Sequence, residues 1–488
     1  MTSGHTASRK VTIIGAGLSG LAAGIHLARQ GFGVTVLEAN DVIGGCCSTT
    51  DVEGYRFNNG AMYVAVPRLI DHAFSRLGLD RQALVPLRRI AVPQTSVLPS
   101  GTRVTFVDKG TARIEGDNGA ARTRVLQAEL ERCIDKWAPV LRLFVDDLMP
   151  YPLSLPRLLS KVWRHLPKLS GNLAGELHKL FSDPEARAAV SAVTLYTGLP
   201  VERTPVFQIM GLVAMLDEGF YLPEGGMGAI TDALHHAFLE LGGELHVGAR
   251  VKRIRVDGGK VRSVVLEGKT EIPTDTVIST ATAMATFTRM MVPTDVPTSI
   301  QRRLKRVPLS QRALGIQLGL SNQIDAPAYA VNHVALMEQQ YQQLAPQPDG
   351  IRWLSYTVPT LTLPALAPPG GSIIEMFTSV DQKQPLDAWD DRTANALADE
   401  AIAALAQHQP LDIHTRRVLS PRTYAEQMNL FEGALYGLSP GASPAQQFPY
   451  RTPIEGLFLA GQTTYPGYGT GPALFTGILA AEAVAKHR

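Results

Sequence analysis

The chain has 488 residues, 45% of them hydrophobic and only 18% charged, where soluble domains average about 25% charged. Its 46 basic and 44 acidic residues leave a net charge of +2, so there is no general basic field for nucleic acid. The same composition excludes disorder, a coiled coil and a disulfide-rich scaffold, and leaves room for a greasy ligand.

The first ten residues lack the apolar core of a signal peptide. Val11-Thr12-Ile13-Ile14 is a β-branched run suited to a buried parallel strand. It leads into Gly15-Ala16-Gly17-Leu18-Ser19-Gly20 and then into an alanine- and leucine-rich helix that Gly31 would stop. A second strand, 34–37, ends at Glu38. Strand, glycine turn, helix, strand and acid follow one another in the order a dinucleotide-binding unit requires. Gly15 permits the tight turn, Gly17 lets backbone approach a pyrophosphate, and Gly20 lets helix pack on strand. Leu18 and Ser19 lie in this turn, just before a helix N-terminus that presents N–H groups to phosphate. Glu38, followed by Ala39, reaches the ribose hydroxyls of an adenosine and disfavours the 2′-phosphate of NADP.

Gly44-Gly45-Cys46-Cys47 comes next, and a glycine pair there lets backbone lie against a flavin ring system. With Cys133 these are the only three thiols, too few for a disulfide framework, and no C-x-x-C zinc spacing exists. A reducing cytoplasm is the setting this suggests. Cys47 is a weak candidate for a base or redox partner, set against the commoner fate of thiols, which is to pack.

Between 137 and 179, Arg and Lys interleave with Trp and Leu. This is either a helix lying in a membrane interface or a lid packed on its own domain. No run reaches the ~18–20 apolar residues of a membrane span. Tyr221 to Met227, containing Pro-Glu-Gly-Gly-Met, leads into a helix at 228–241 and a strand region at 244–256. Asp257-Gly258-Gly259 then turns the chain into a strand at 260–266. The Pro- and Gln-rich tract 339–350 reads as a surface loop. A strand at 457–460 ends in Gly461-Gln462, and the helix after it carries Gly471 and Pro472 in its first turn. That helix would point its N-terminal N–H groups back at the glycine loop. His235-His236 lacks a third ligand at metal spacing, so no metal is expected. Gly437 to Gly441 fits the G-x-S-x-G pattern in form, but in a Pro-rich loop where no strand enters a helix.

On Gly15 to Gly20, Gly44 to Cys47, Tyr221 to Met227, Leu366-Ala367-Pro368-Pro369-Gly370 and Gly456 to Gly469, the chain resembles the FAD-dependent phytoene desaturase, carotenoid isomerase and retinol saturase family, nearly end to end. The resemblance implies an α/β fold: a Rossmann-type FAD-binding domain of the glutathione reductase and amine oxidase kind, an α+β substrate domain and a helical insert. The FAD domain would be discontinuous (1–90, 222–285 and 415–488), the substrate domain would take 91–221 and 286–414, and the insert 110–220. Val251 would hold the adenine through its backbone, and Gly461, Gln462 and Gly467 would surround the flavin. Gln462 stands where most flavoenzymes of this fold place an acid, and Tyr465 stands where bacterial phytoene desaturases have His. Tyr465 and Tyr468 either flank the flavin face or line an apolar tunnel.

The implied activity is desaturation, saturation or isomerisation of carbon–carbon bonds in a hydrophobic polyene or isoprenoid. Amine oxidase-like or natural-product tailoring oxidation is the alternative on the same scaffold. A non-catalytic escort of prenylated proteins is the alternative of another class. The expected partners are a hydrophobic small molecule and, in the interface reading of 137–179, a membrane surface. Nucleic acid is not among them, and nothing in the sequence indicates the oligomeric state.

Overall fold

The computed structural model describes residues 9–344, 353–443 and 446–487. Strand Lys10–Ile14 lies at the centre of a five-stranded parallel sheet, flanked by Gly33–Leu37 and Glu244–His246 on one side. Val277–Ser279 and Leu457–Leu459 lie on the other side. Both faces are buried, as a parallel sheet requires. Val11, Ile13, Val36 and Phe458 pack under helices Leu18–Ala28, Gly228–Glu240 and Thr470–Ala485. Ile14, Leu37, Val277 and Leu459 pack under a three-stranded antiparallel sheet, Val251–Asp257, Lys260–Leu266 and Glu271–Pro273.

The hairpin at Asp257-Gly258-Gly259 forms, with Asp257 paired to Lys260. The single strand region at 244–256 does not. Glu244–His246 joins the parallel sheet, and the chain turns at Gly248 (φ 61°) before Val251 starts the second sheet. Apolar alternation cannot reveal that two consecutive strands belong to different sheets.

An eight-stranded sheet forms the other half. Its order is Ile413–Leu419, Ala313–Leu320, Ser372–Ser379, Leu354–Thr357, Ala330–His333, Gln94–Val97, Arg103–Val107 and Thr111–Glu115. All neighbours are antiparallel except Ala330–His333 with Gln94–Val97. On its outer face Leu314, Ile316, Leu318, Tyr356 and Met376 pack against Ala394, Ala398, Ala401 and Leu405 of helix Asp391–Ala406. The Asp390 carboxylate accepts the Thr393 N–H at 2.8 Å and fixes where that helix starts. The boundary expected at 415 falls inside strand Ile413–Leu419, which belongs to this large sheet. Likewise 110 is not a helical start, because Thr111–Glu115 is its far edge strand.

Helices from Gly119 onward cover the inner side. The stretch 137–179 divides in two. Trp137, Leu141, Leu143 and Leu148 are core residues, and the Trp137 indole donates to Glu176 at 2.8 Å, with Lys136 2.6 Å from the same carboxylate. After Ser154 the character reverses, and Leu155, Leu159, Trp163 and Leu166 stand exposed. In the tract expected as a loop, Gln340–Gln343 is a short helix, and 345–350 lies outside the described residues.

Candidate active site

A cavity of about 540 Å³ runs from the carboxyl ends of the parallel strands to the inner face of the eight-stranded sheet. Its floor is the glycine turn. Gly15 has φ +101°, and a Cβ on Gly20 would lie 1.9 Å from the Gly15 carbonyl oxygen, so the turn closes only with glycine at both places. A Cβ on Gly17 would meet nothing nearer than the Gly44 carbonyl at 3.8 Å and would point into the cavity. That open space above backbone is where a pyrophosphate fits. Helix Leu18–Ala28 starts there with no side-chain cap, and Gly17, Leu18 and Ser19 line the wall.

At the end of the second strand the Glu38 carboxylate accepts N–H groups from Ala16 at 2.8 Å and Asn40 at 2.9 Å. It is thereby aimed along the cavity beside Ala39, Arg250 and Val251. Gly44, Gly45, Cys46 and Cys47 form the next stretch of wall. Burial pushes the Cys46 thiol up to about 11 and the Cys47 thiol to about 12, and Cys47 donates to the Met227 carbonyl at 3.4 Å. Both thiols therefore stay protonated at neutral pH, which removes Cys47 as a ready base.

Across the cavity lie Gly461 and Gln462, and the Gly461 N–H is held by Thr476 at 2.8 Å. Helix Thr470–Ala485 opens behind them, uncapped by any side chain, with Gly469, Thr470 and Ala473 on the wall. Gly20, Gly467, Gly471 and Pro472 are not wall residues; Gly471 instead presses on Leu69, which a Cβ would approach to 2.7 Å. Tyr468 lines the cavity, its ring 4.8 Å from that of Tyr436 at a 36° tilt. Tyr465 is outside it, where burial raises its phenol pKa and the nearby Arg157 lowers it.

The far wall is Tyr196, Gln311, Ala313, Trp353, Phe377, Leu435 and Tyr436. Sequence reasoning missed most of it. Tyr196 lies two residues before Gly198 and Tyr436 directly before Gly437, a weak local signal, whereas Trp353 and Phe377 carry none. Burial raises the phenol pKa of Tyr436 and takes that of Tyr196 to about 12, so both remain neutral. Among the described residues no Asp, Glu, Lys or His belongs to this far wall. The charged groups of the cavity, Glu38, Arg250, Lys252, Glu267 and Arg289, gather at the adenosine end. No His/Cys/Asp/Glu cluster among the described residues could hold a metal.

Residues 18–485 match the family of flavin-containing amine oxidoreductases. The chain belongs to that family. Among its relatives are the zeta-carotene-forming phytoene desaturase of Myxococcus xanthus, 26% identical over 98% of this chain and 94% of the relative. The chloroplastic prolycopene isomerase of Daucus carota is also 26% identical, over 99% and 81%. Putrescine oxidase with bound putrescine shares the fold, with a TM-score of 0.64 at 16% identity over 98% of this chain and 99% of that one. An oxidoreductase from Methanosarcina mazei gives 0.64 at 17% identity, covering 98% and 100%. This flavin oxidoreductase is an FAD-dependent enzyme whose glycine floor, Glu38 and two uncapped helix starts fit the cofactor.

When bound, FAD supplies hydride acceptance and donation. This chain's residues do the rest. The first turn of Leu18–Ala28 would hold the pyrophosphate, Glu38 the ribose hydroxyls, Val251 backbone the adenine and Gln462 the ribityl chain. The start of Thr470–Ala485 would place a positive dipole end near the ring, and the aromatic wall keeps water from the reacting carbons.

Proposed function

We propose that this enzyme desaturates, saturates or isomerises carbon–carbon bonds of a hydrophobic polyene or isoprenoid. The observation that carries this reading is the far wall, which is aromatic and aliphatic apart from Gln311, whose amide is spent on the Leu195 and Tyr196 carbonyls, and has no charged side chain to bind a cationic or anionic substrate. The names of the relatives from Myxococcus xanthus and Daucus carota agree with it. A hydrocarbon in such a site is oriented by shape and by ring faces. With both thiols and the wall phenols held protonated, the described residues of the cavity wall offer no strong base at the reacting carbons.

The Tyr436–Tyr468 pair favours a second reading, because two tilted rings can also hold an amine. Anaerobic mixing decides between them: bleaching of the bound flavin by polyenes supports the first, and bleaching by amines alone overturns it. Recovery of protein that cannot take up FAD would instead favour the escort reading.

Delivery of such a substrate calls for contact with lipid. Leu155 and Leu159 of helix Leu155–Val162, with Trp163 and Leu166 in the turn and short helix that follow, are 53–68% exposed, with Lys161, Arg164 and Lys168 beside them in sequence. A basic, apolar face of this kind suits an anionic bilayer surface. No helix among the described residues is long and apolar enough to cross a membrane.

A further inference from the structure

The inner face of the eight-stranded sheet carries a buried polar row. Thr357, Glu375, Gln317 and Arg417 stand on four adjacent strands at one level, since Thr357 pairs with Glu375, Glu375 with Gln317 and Gln317 with Arg417. Thr357, Glu375 and Gln317 are 1–3% exposed. The row grips residues 58 and 59 of the cofactor half. The Asn58 N–H donates to Glu375 Oε1 at 2.7 Å, and Gln317 Nε2 donates to the Asn58 carbonyl at 2.6 Å. Arg417 Nη1 donates to Gln317 Oε1 at 2.6 Å and to Asn59 Oδ1 at 2.9 Å. Asn59 in turn donates to Ser48 and Thr50, both at 2.8 Å, and the Ala61 N–H donates to the Cys46 carbonyl at 2.7 Å. Gly60, Ala61, Met62 and Cys46 are cavity wall, so Glu375 stands directly behind it.

Two atoms in this array are left over, Asn58 Nδ2 and Glu375 Oε2. Glu375 Oε2 is buried and has no hydrogen-bond partner. The charged and titratable groups around the carboxyl are Arg417 from strand Ile413–Leu419, Tyr329 from the segment before Ala330, and Tyr424 from helix Pro421–Gln427. Burial pushes the Glu375 carboxyl up to about 7, opposed by the backbone and side-chain amides of Asn58, by the Arg417 charge and by the Thr357 hydroxyl. Burial raises the phenol pKa values of Tyr329 and Tyr424 well out of the way, so Glu375 is the group in this cluster that can exchange a proton near neutrality.

We propose that Glu375 is a redox-linked proton site, taking up one proton on Oε2 when the cofactor in the adjoining cavity is reduced. Two electrons and one proton enter the cavity as a hydride. The negative charge left there acts through a dry, low-dielectric wall and raises the proton affinity of the carboxylate behind it. A second proton, from solvent or from the substrate carbon next to the one that lost hydride, then forms the new O–H bond. Below about pH 7 Glu375 is protonated in both redox states and the coupling disappears; above it, reduction and protonation are linked.

The test is the midpoint potential of the FAD-loaded enzyme, measured with a chemical reductant and mediator dyes between about pH 5 and about pH 9. No organic substrate is needed, so the outcome is independent of whether the enzyme acts on polyenes. The wild type should gain one proton per two electrons on crossing neutrality, an extra tenfold in the reduction equilibrium for each pH unit. Glu375→Gln, still loaded with FAD, should show no such gain. Because that variant could fold poorly, reduced-minus-oxidised infrared spectra of the wild type at about pH 8 provide a second reading. A new protonated-carboxyl carbonyl band supports the proposal. A wild-type dependence without the steepening, a steepening that survives in Glu375→Gln, or a spectrum without the carboxyl band overturns it.

Discussion

The two large sheets bury themselves by opposite strategies. The parallel sheet is apolar on both faces, and its polar work is done by backbone where strands give way to helices, at Gly15 to Ser19 and at Gly461 to Thr470. The eight-stranded sheet is apolar on its outer face, whereas its inner face mixes apolar residues such as Phe106 and Phe377 with a buried polar set, Gln317, Thr357 and Glu375, turned against the cofactor half. Backbone work needs glycine at fixed intervals along one stretch of chain. Side-chain work across a sheet draws single residues from strands tens of positions apart.

The contrast breaks most sharply at Gly20. Gly20→Val places a side chain 1.9 Å from the Gly15 carbonyl and should prevent recovery of folded protein, read by circular dichroism and gel filtration. Gly17→Ala sharpens it: the new methyl clashes with no protein atom, so the fold should survive. FAD retention should fall by about tenfold or more, seen as flavin absorbance per protein.

On the polar face the expected effects are smaller and depend on pH. The folded protein holds the Glu375 proton more tightly than the unfolded chain does, because burial raises its pKa to about 7. Its contribution to stability is therefore full below the ordinary carboxylate range and is lost as pH rises through about 7, by on the order of 3 kcal/mol. Urea denaturation of wild type against Glu375→Gln at acid and at alkaline pH should show that difference in slope; parallel profiles would remove Glu375 from the account. Arg417→Met takes a donor from both Gln317 and Asn59 and should cost about 1–2 kcal/mol where Glu375 is protonated, discounted because Arg417 is only partly buried, and more as pH rises through about 7, because the lost charge also supports the Glu375 carboxylate.

The smallest effect on stability belongs to the outer helices. Leu159→Glu combined with Trp163→Glu should move stability by no more than about 0.5 kcal/mol, since both side chains are exposed. The same pair should abolish co-sedimentation with anionic liposomes. Undiminished sedimentation would assign this face another role.

The helical insert shows how far local pattern reaches. Trp and Leu interleaved with Arg and Lys look alike on both sides of Ser154, yet Trp137 is fully buried and Trp163 is 56% exposed. The difference lies in what packs above. Glu176 and Lys136 close over Trp137, whereas the exposed Trp163 ring has Arg164 against it, 5.1 Å from the centroid.

What the sequence determined by itself was the cofactor floor: Gly15, Gly17, Gly20 and Glu38, the hairpin at 257–260, and the closing strand at 457–460 with a helix from about 471. Each is a contiguous run in which turn geometry and close approach leave few residue choices, so the chemistry is written in one place. Tertiary structure alone decided the far wall and the row behind it. Trp353, Phe377, Glu375, Gln317 and Arg417 have ordinary strand neighbours, and their meeting depends on sheet order and register, which are set by long-range pairing that no local pattern records.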